Sequence, residues 1–213
     1  NIFLANEFFD AIPIKQYMKE GNHWYERLIK VFDKNHLNFG KRKINVKSIK
    51  KKTNFDIFKK QNFIEYSPLG IKYLNEIMKI INDHQGGLLI IDYGYYERKF
   101  KNTLKAIYNK KHSNFLDNIG KSDITHNINY YLFNKFVNNY KNLTKNYTTQ
   151  EKFLTNMGIF HRAEILGKNK TFTEKADIFY RVKRLTDKNH MGNLFKVMLI
   201  KNSNIKSQIG FQN

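Results

Sequence analysis

The stretch "GGLLIIDYGYY" (residues 86–96) decides the fold. Before it, Leu69, Tyr73, Leu74, Ile77, Ile80 and Ile81 recur at helical spacing, with Ser67-Pro68 as the start signal and the glycine pair as the stop. A helix, two glycines and then a short continuous apolar run predict a parallel strand buried on both faces. The run ends in Asp92 and Gly94, and α/β sheets bind ligands beyond the carboxyl ends of such strands. A second exit of the same kind is "IFLANEFFDAIPI" (residues 2–14): residues 1–5 read as a strand, and Asn6 to Ile12 as the turn leaving it. Glu7 and Asp10 stand three apart there, with Phe8 and Phe9 between them. Taken alone, these acids read as the first turn of a helix, complementing its dipole. Beside Asp92 on the same sheet edge, they read as a site.

Outward from these exits, "HWYERLIKVF" and "HLNFGKRK" predict an antiparallel pair around Asp33-Lys34-Asn35. "KSIKKKTNFDIFKK" reads as a solvated lysine-rich connector, and "NTLKAIYNKKHSNFLDNIGKSDITHNIN" as irregular. "YYLFNKFVNNY", "EKFLTNMGIFHRAEILG" and "ADIFYRVKRLTD" carry helical patterns, "YTTQ" a short strand, and "MGNLFKVMLIKN" the closing strand. This alternation is α/β, and no internal repeat interrupts it.

The length of 213 residues suits one domain, and 41% hydrophobic with 15% aromatic residues is too rich for a disordered chain. The formal charge is +20, from 38 basic and 18 acidic residues. Charge of that size raises nucleic acid as a partner. Yet only Arg27, Arg42, Arg98, Arg162, Arg181 and Arg184 are arginines; the rest of the excess is lysine, alongside abundant Asn and Ile. That combination matches a low-GC coding bias, which makes surfaces basic without selecting a ligand. Cysteine is absent, which excludes disulfides and thiolate metal sites, and the seven scattered histidines give no zinc spacing. No apolar run approaches the ~20 residues of a membrane span. No metal and no membrane span are therefore expected.

Six segments stand in an order that resembles one family: "ANEFFDAIPI", "EYSP", "GGLLIIDYGYY", "SDITHNINY", "TTQEKFLTNMGIFHRAE" and "MGNLFKVMLI". They are similar to the MidA family of class I S-adenosylmethionine-dependent methyltransferases, bacterial and mitochondrial proteins whose eukaryotic members assist respiratory complex I assembly. The resemblance implies a Rossmann-like fold and S-adenosylmethionine as cofactor. It implies a protein substrate, methylated on arginine, with a complex I subunit as the candidate, and residence in a bacterial cytoplasm or, in a eukaryote, the mitochondrial matrix. Family members carry their glycine-rich cofactor loop upstream of the "NEFFDA" segment, and no G-x-G-x-G occurs here. The chain is accordingly expected to be the C-terminal part of a seven-stranded, mostly parallel sheet with an antiparallel last strand. It would form a single domain over 1–213, truncated at its N-terminus, with a β-hairpin insertion at about 15–60. Such a piece is expected to fold marginally and to bind the cofactor poorly.

Methyl transfer from a sulfonium needs nucleophile, methyl carbon and sulfur in line, so positioning dominates. A guanidinium acceptor needs carboxylates to fix its fork and to localise its charge away from the attacking nitrogen. Glu7, Asp10 and Asp92 are the catalytic candidates. Phe8, Phe9, Tyr95, Asp123 and His126 are the substrate-binding candidates, and Asn6 and Gly94 the cofactor-binding ones. Asp92 and Gly94 also fit a plain turn, and a lone loop histidine such as His126 fits a surface or capping role. Two other readings stand beside this one. A base methyltransferase would carry Asn/Asp-Pro-Pro-aromatic where Asn6-Glu7-Phe8-Phe9 stands, and an acid at that pocket mouth repels phosphate. An interaction module without a cofactor loop is the other.

Overall fold

The computed structural model describes residues 1–33, 36–53 and 55–212. In chain order the strands are β1 (Ile2–Asn6), β2 (Lys15–Glu20), β3 (His23–Asp33), β4 (His36–Lys43), β5 (Phe63–Tyr66), β6 (Gly87–Tyr95), β7 (Lys105–Tyr108), β8 (Lys111–Ser113), β9 (Asp123–Thr125), β10 (Ile128–Asn129), β11 (Leu143–Thr149) and β12 (Phe195–Asn202). The helices are α1 (Val46–Thr53), α2 (Pro68–His84), α3 (Tyr130–Val137), α4 (Gln150–Asn156), α5 (Ile159–Gly167), α6 (Phe172–Thr186) and α7 (Met191–Leu194).

The central sheet has the order β1-β6-β12-β11, with the two-residue β10 beside the end of β6. β1 and β6 are parallel in the register Ile2↔Gly87 to Asn6↔Ile91, so both acid-bearing exits lie at one edge, as the sequence predicts. β12 is antiparallel to both of its neighbours, which confirms an antiparallel last strand. α2 begins as expected: the Ser67 hydroxyl accepts from Gly70 N at 2.9 Å, with Pro68 in the first turn. Its Leu74, Met78 and Ile81 are buried together with Leu88 and Ile90 of β6 and Met198 and Ile200 of β12. The strand is not buried on both faces. Leu88, Ile90 and Asp92 are fully buried, whereas Leu89, Ile91 and Tyr93 alternate with them on a half-open side.

A second sheet, β4-β3-β2-β5, is antiparallel throughout. The expected β3–β4 pairing is present, while Lys34 and Asn35 of its turn lie outside the described residues. β2 escapes a hydropathy reading because it is polar, and β5 because it is only four residues long. Their buried members are Gln16, Tyr17, Ile64, Glu65 and Tyr66. The lysine-rich connector is corrected: it forms α1 and then buries Ile57 and Phe58, with Phe58 edge-on to Trp24 at 4.8 Å. Its lysines hold the solvent side, which hid the helix among charges.

The stretch expected to be irregular contains the small sheet β8-β7-β9 and β10. The expected single helix over 151–167 is two, α4 and α5, separated at Gly158, whose φ of 79° lies in the left-handed region. α6 starts earlier than its apolar pattern because Thr171 and Glu174 form a capping box. "MGNL" is the short helix α7 rather than strand. Among the described residues of α5 none is buried, and Phe172 of α6 is 88% exposed.

Candidate active site

The parallel register of β1 and β6 continues one step beyond β1, where Glu7 N donates to Ile91 O at 3.0 Å. Glu7 itself has φ 46°, a left-handed conformation rare for a residue with a side chain. The chain then turns sharply, and Phe9, 1% exposed, plugs the core edge-on to Phe133 at 5.1 Å. Phe8 stays partly exposed beside Tyr73. The turn is held from the neighbouring strand. Asp92 Oδ2 accepts from Phe9 N at 3.0 Å and from Asp10 N at 3.3 Å, and Oδ1 accepts from Tyr93 N at 2.8 Å.

The three acids are thereby tiered. Asp92 is fully buried, Asp10 nearly so, and Glu7 is open to solvent. Burial first, and then the neighbouring Asp10, push Asp92 up to about 7. Asp10 is also raised, by burial and then by Glu7. Tyr93 points to the side of β6 opposite Asp92, with its ring 4.1 Å from that of Phe195. Its phenol is raised by burial and by Glu7, Asp10 and Asp92, and opposed by Arg184. Tyr93 is thus a member of this edge that sequence reading passed over. The tyrosine directly after Asp92 in "IIDYGYY" was the available signal.

Several expected site residues are engaged within the fold. Asp92 is fully buried and its oxygens accept from backbone N–H groups, an arrangement that suits a residue positioning the turn. Gly94 is closely packed: a Cβ there would stand 2.5 Å from the Tyr130 ring and 2.6 Å from Ile128 O. Tyr130 fills that space, and its hydroxyl donates to Lys196 O at 3.2 Å. Phe9 and Tyr95 are buried; the Tyr95 hydroxyl accepts from Lys101 N at 3.1 Å, and burial raises it to about 12. Asp123 lies exposed on β9, opposite Ile107, with no hydrogen bond to the acid turn.

His126 is buried and sits behind the turn, where its backbone N donates to Asp10 O at 3.1 Å. Burial lowers its pKa, and Nε2 has no hydrogen-bond partner among the described residues. Glu65, buried on β5, was missed as an anchor. It accepts from Thr103 N, Leu104 N and Gln16 Nε2, and so ties the second sheet to the segment that leads to His126. A buried carboxylate with that many donors reads in sequence as a surface residue. Among the described residues no cluster of acids and histidines has the makings of a metal site.

Exposed Asn6, Glu7 and Phe8 remain as the groups that a ligand can touch. They offer a carboxylate backed by a second negative tier and an aromatic face. That arrangement favours a cation.

Residues 1–148 match the family described as "Putative S-adenosyl-L-methionine-dependent methyltransferase". The protein arginine methyltransferase NDUFAF7 homolog of Caenorhabditis elegans is 28% identical over 76% of this chain and 38% of its own length. The mitochondrial protein arginine methyltransferase NDUFAF7 of Xenopus laevis is 26% identical over 98% of this chain and 48% of its own. The chain thus spans half or less of the length of these relatives. A Burkholderia thailandensis protein of known structure superimposes with a TM-score of 0.85 at 18% identity, covering 100% of this chain and 58% of that one. A second structure from that organism, bound to S-adenosyl-homocysteine, gives 0.79 at 19% identity, covering 100% and 56%. With the match running over most of its length and the fold shared throughout, the chain belongs to this family of S-adenosylmethionine-dependent methyltransferases.

Proposed function

We propose that this chain supplies the acceptor side of a protein-arginine methyltransferase, with Glu7 gripping the guanidinium. The observation that carries the reading is the tiered acid edge: in a chain of net charge +20, the one solvent-open carboxylate of this edge sits on a strained left-handed residue beyond the central strands. Strain of this kind costs about 1–3 kcal/mol and persists where a side chain must point one way. The names of the Caenorhabditis and Xenopus relatives, both protein arginine methyltransferases, support the acceptor class. The suggestion of a complex I subunit rests on the family resemblance alone.

When bound, S-adenosylmethionine supplies the electrophilic methyl group. Asn6 and Phe8, exposed at the end of β1, suit the edge of such a sulfonium cofactor, and this sequence carries no glycine-rich loop of its own for it. Glu7 accepts two N–H groups of the guanidinium and draws the positive charge toward itself, leaving the third nitrogen richer in electrons. Asp10 deepens the negative potential from behind, and Asp92 fixes the backbone on which both stand. Phe8 excludes water beside the transferring group.

The test is Glu7→Gln in the protein that carries this chain, assayed for labelled methyl transfer to arginine peptides. The expected loss is about 100-fold or more in kcat/KM, the scale of removing a charge-stabilising group at a reacting centre. Retention of full activity would remove Glu7 from the site. The relatives named here are mitochondrial, and no helix among the described residues is long and apolar enough to cross a membrane.

A further inference from the structure

Apart from the acid turn, the surface carries a recess whose chemistry is the opposite. It is a cavity of about 350 Å³ between the segment that follows α1, helix α3 and the segment that follows β6. Lys59, Arg98 and Lys135 stand around it, with Phe100, Tyr131 and Gln61 among the lining groups. The three cations are exposed, and none has an acidic partner among the described residues. The acid that also lines the cavity, Asp56, is committed to Lys50 at 2.6 Å. The wall is built rather than fortuitous. Gln61 Nε2 donates to Arg98 O at 2.9 Å, and Gln61 Oε1 accepts from Phe100 N at 3.3 Å, which fixes the path of the arginine segment. The Lys135 ammonium lies over the Tyr131 ring at 5.3 Å.

The chain path relates the recess to the acid turn. Arg98 follows the carboxyl end of β6, and α3 follows β10, which pairs in parallel with Gly94 and Tyr95. The cationic cleft therefore follows β6 and β10, and the acid turn follows β1, which also pairs in parallel with β6. Between them the edge offers negative charge for a guanidinium and, farther along β6, positive charge for an anion.

We propose that the cationic cleft takes acidic side chains of the acceptor protein that flank the arginine to be methylated. The inference rests on the protein-arginine reading of the acid turn. Carboxylates fit better than a nucleic-acid backbone for two reasons. A volume of about 350 Å³ admits a few side chains, not a polynucleotide track, and the carboxylates of Glu7 and Asp10 on the acid turn repel successive phosphates. The half-buried Phe100 and Tyr131 rings receive the apolar stems of Glu or Asp, while Arg98 can grip a carboxylate through two nitrogens.

The experiment uses the protein that carries this chain and fluorescein-labelled short peptides read by fluorescence anisotropy. One peptide carries glutamates around a central arginine, a second has glutamine for each glutamate, and a third has lysine for the arginine. The Glu peptide is expected to bind about tenfold tighter than the Gln peptide, the scale of one or two charge-assisted contacts. Arg98→Glu with Lys135→Glu should abolish that preference, and Arg98→Gln with Lys135→Gln should reduce it. Lys72→Glu with Lys79→Glu on α2, the same change in net charge, should leave it intact. Equal loss in the α2 variant would reduce the effect to bulk charge and overturn the proposal. So would an unchanged preference in the cleft variants, or a single-stranded oligonucleotide that binds tighter than the Glu peptide and is lost with Arg98 and Lys135. Preference for arginine over lysine reads the acid turn separately and should vanish only with Glu7→Gln, so failure of the one assignment is not mistaken for failure of the other.

Discussion

The acid turn and the α5–α6 arm are two short, charge-bearing regions that the chain treats in opposite ways. Around the turn, Phe9, Asp10 and Asp92 are buried, and both backbone N–H groups that follow Phe8 are captured by one carboxylate. On the arm, Ile165, Leu166, Phe179 and Tyr180 face solvent, and the acids and bases form exposed pairs such as Asp177–Arg181. Exposed i,i+4 pairs add only about 0.3–0.5 kcal/mol each. Free energy of folding is therefore concentrated where the candidate chemistry sits, and the arm contributes little to it. The strained residue, Glu7, lies inside the well-held region, because only an over-determined backbone can hold it there.

The sharpest way to break the contrast is Gly94→Val, which drives side-chain atoms into the Tyr130 ring and the Ile128 carbonyl. It should cost about 3 kcal/mol by urea denaturation, the upper range for overpacking against a fixed backbone. Asp92→Ala should follow at about 2 kcal/mol, since it leaves two buried N–H groups without an acceptor.

The same carboxyl governs a pH signature. Raised from 3.8 to about 7, Asp92 keeps its proton in the folded protein after the unfolded chain has lost it. Its stabilisation is full below the unfolded pKa and is lost as pH rises through about 7, a fall of about 2–3 kcal/mol from pH 5 to pH 8. His126 works the other way: its lowered pKa makes the folded state poorer in protons below pH 6.5, so its contribution is lost as pH falls. Denaturation at both pH values should therefore give a shallower fall for Asp92→Asn and a steeper one for His126→Asn. Identical slopes in both variants would dissociate the effect from these groups.

Glu7→Gly should move in the opposite sense and stabilise the protein by about 1 kcal/mol, because glycine adopts φ 46° without strain, while arginine methylation is lost. Smallest of all should be Leu166→Ala on the arm, within about 0.5 kcal/mol of the parent in the same titration. A large effect there would show that the arm is covered in solution.

How far the sequence could be read follows from where each residue's partner lies. The β1 and β6 strands were legible because continuous apolar runs and a glycine stop are local signals. The convergence of Glu7, Asp10 and Asp92 followed from parallel pairing alone. The role of Asp92 was not legible, because an acid before a glycine looks the same whether it serves a ligand or a neighbouring backbone. Glu65 and Gln16 were invisible for a related reason: their burial depends on donors near Thr103 and on each other, far apart in the chain. His126 was singled out as a loop histidine near the pocket, but its contact with the turn runs through its backbone, which residue type does not disclose.

The pairing of Asn6 with Ile91 carries a consequence of its own. Asp92 can close the turn only because it stands one residue past that pair, so the spacing between two strands works as the ruler of the site. A slip of a single residue between β1 and β6 would swing Asp92 to the other face of the sheet, put Tyr93 in its place and release Phe9 and Asp10 together. Every residue of the acid turn would still be present in the chain, and the turn would be gone. The site is thus encoded as much in an alignment of backbones as in its acids.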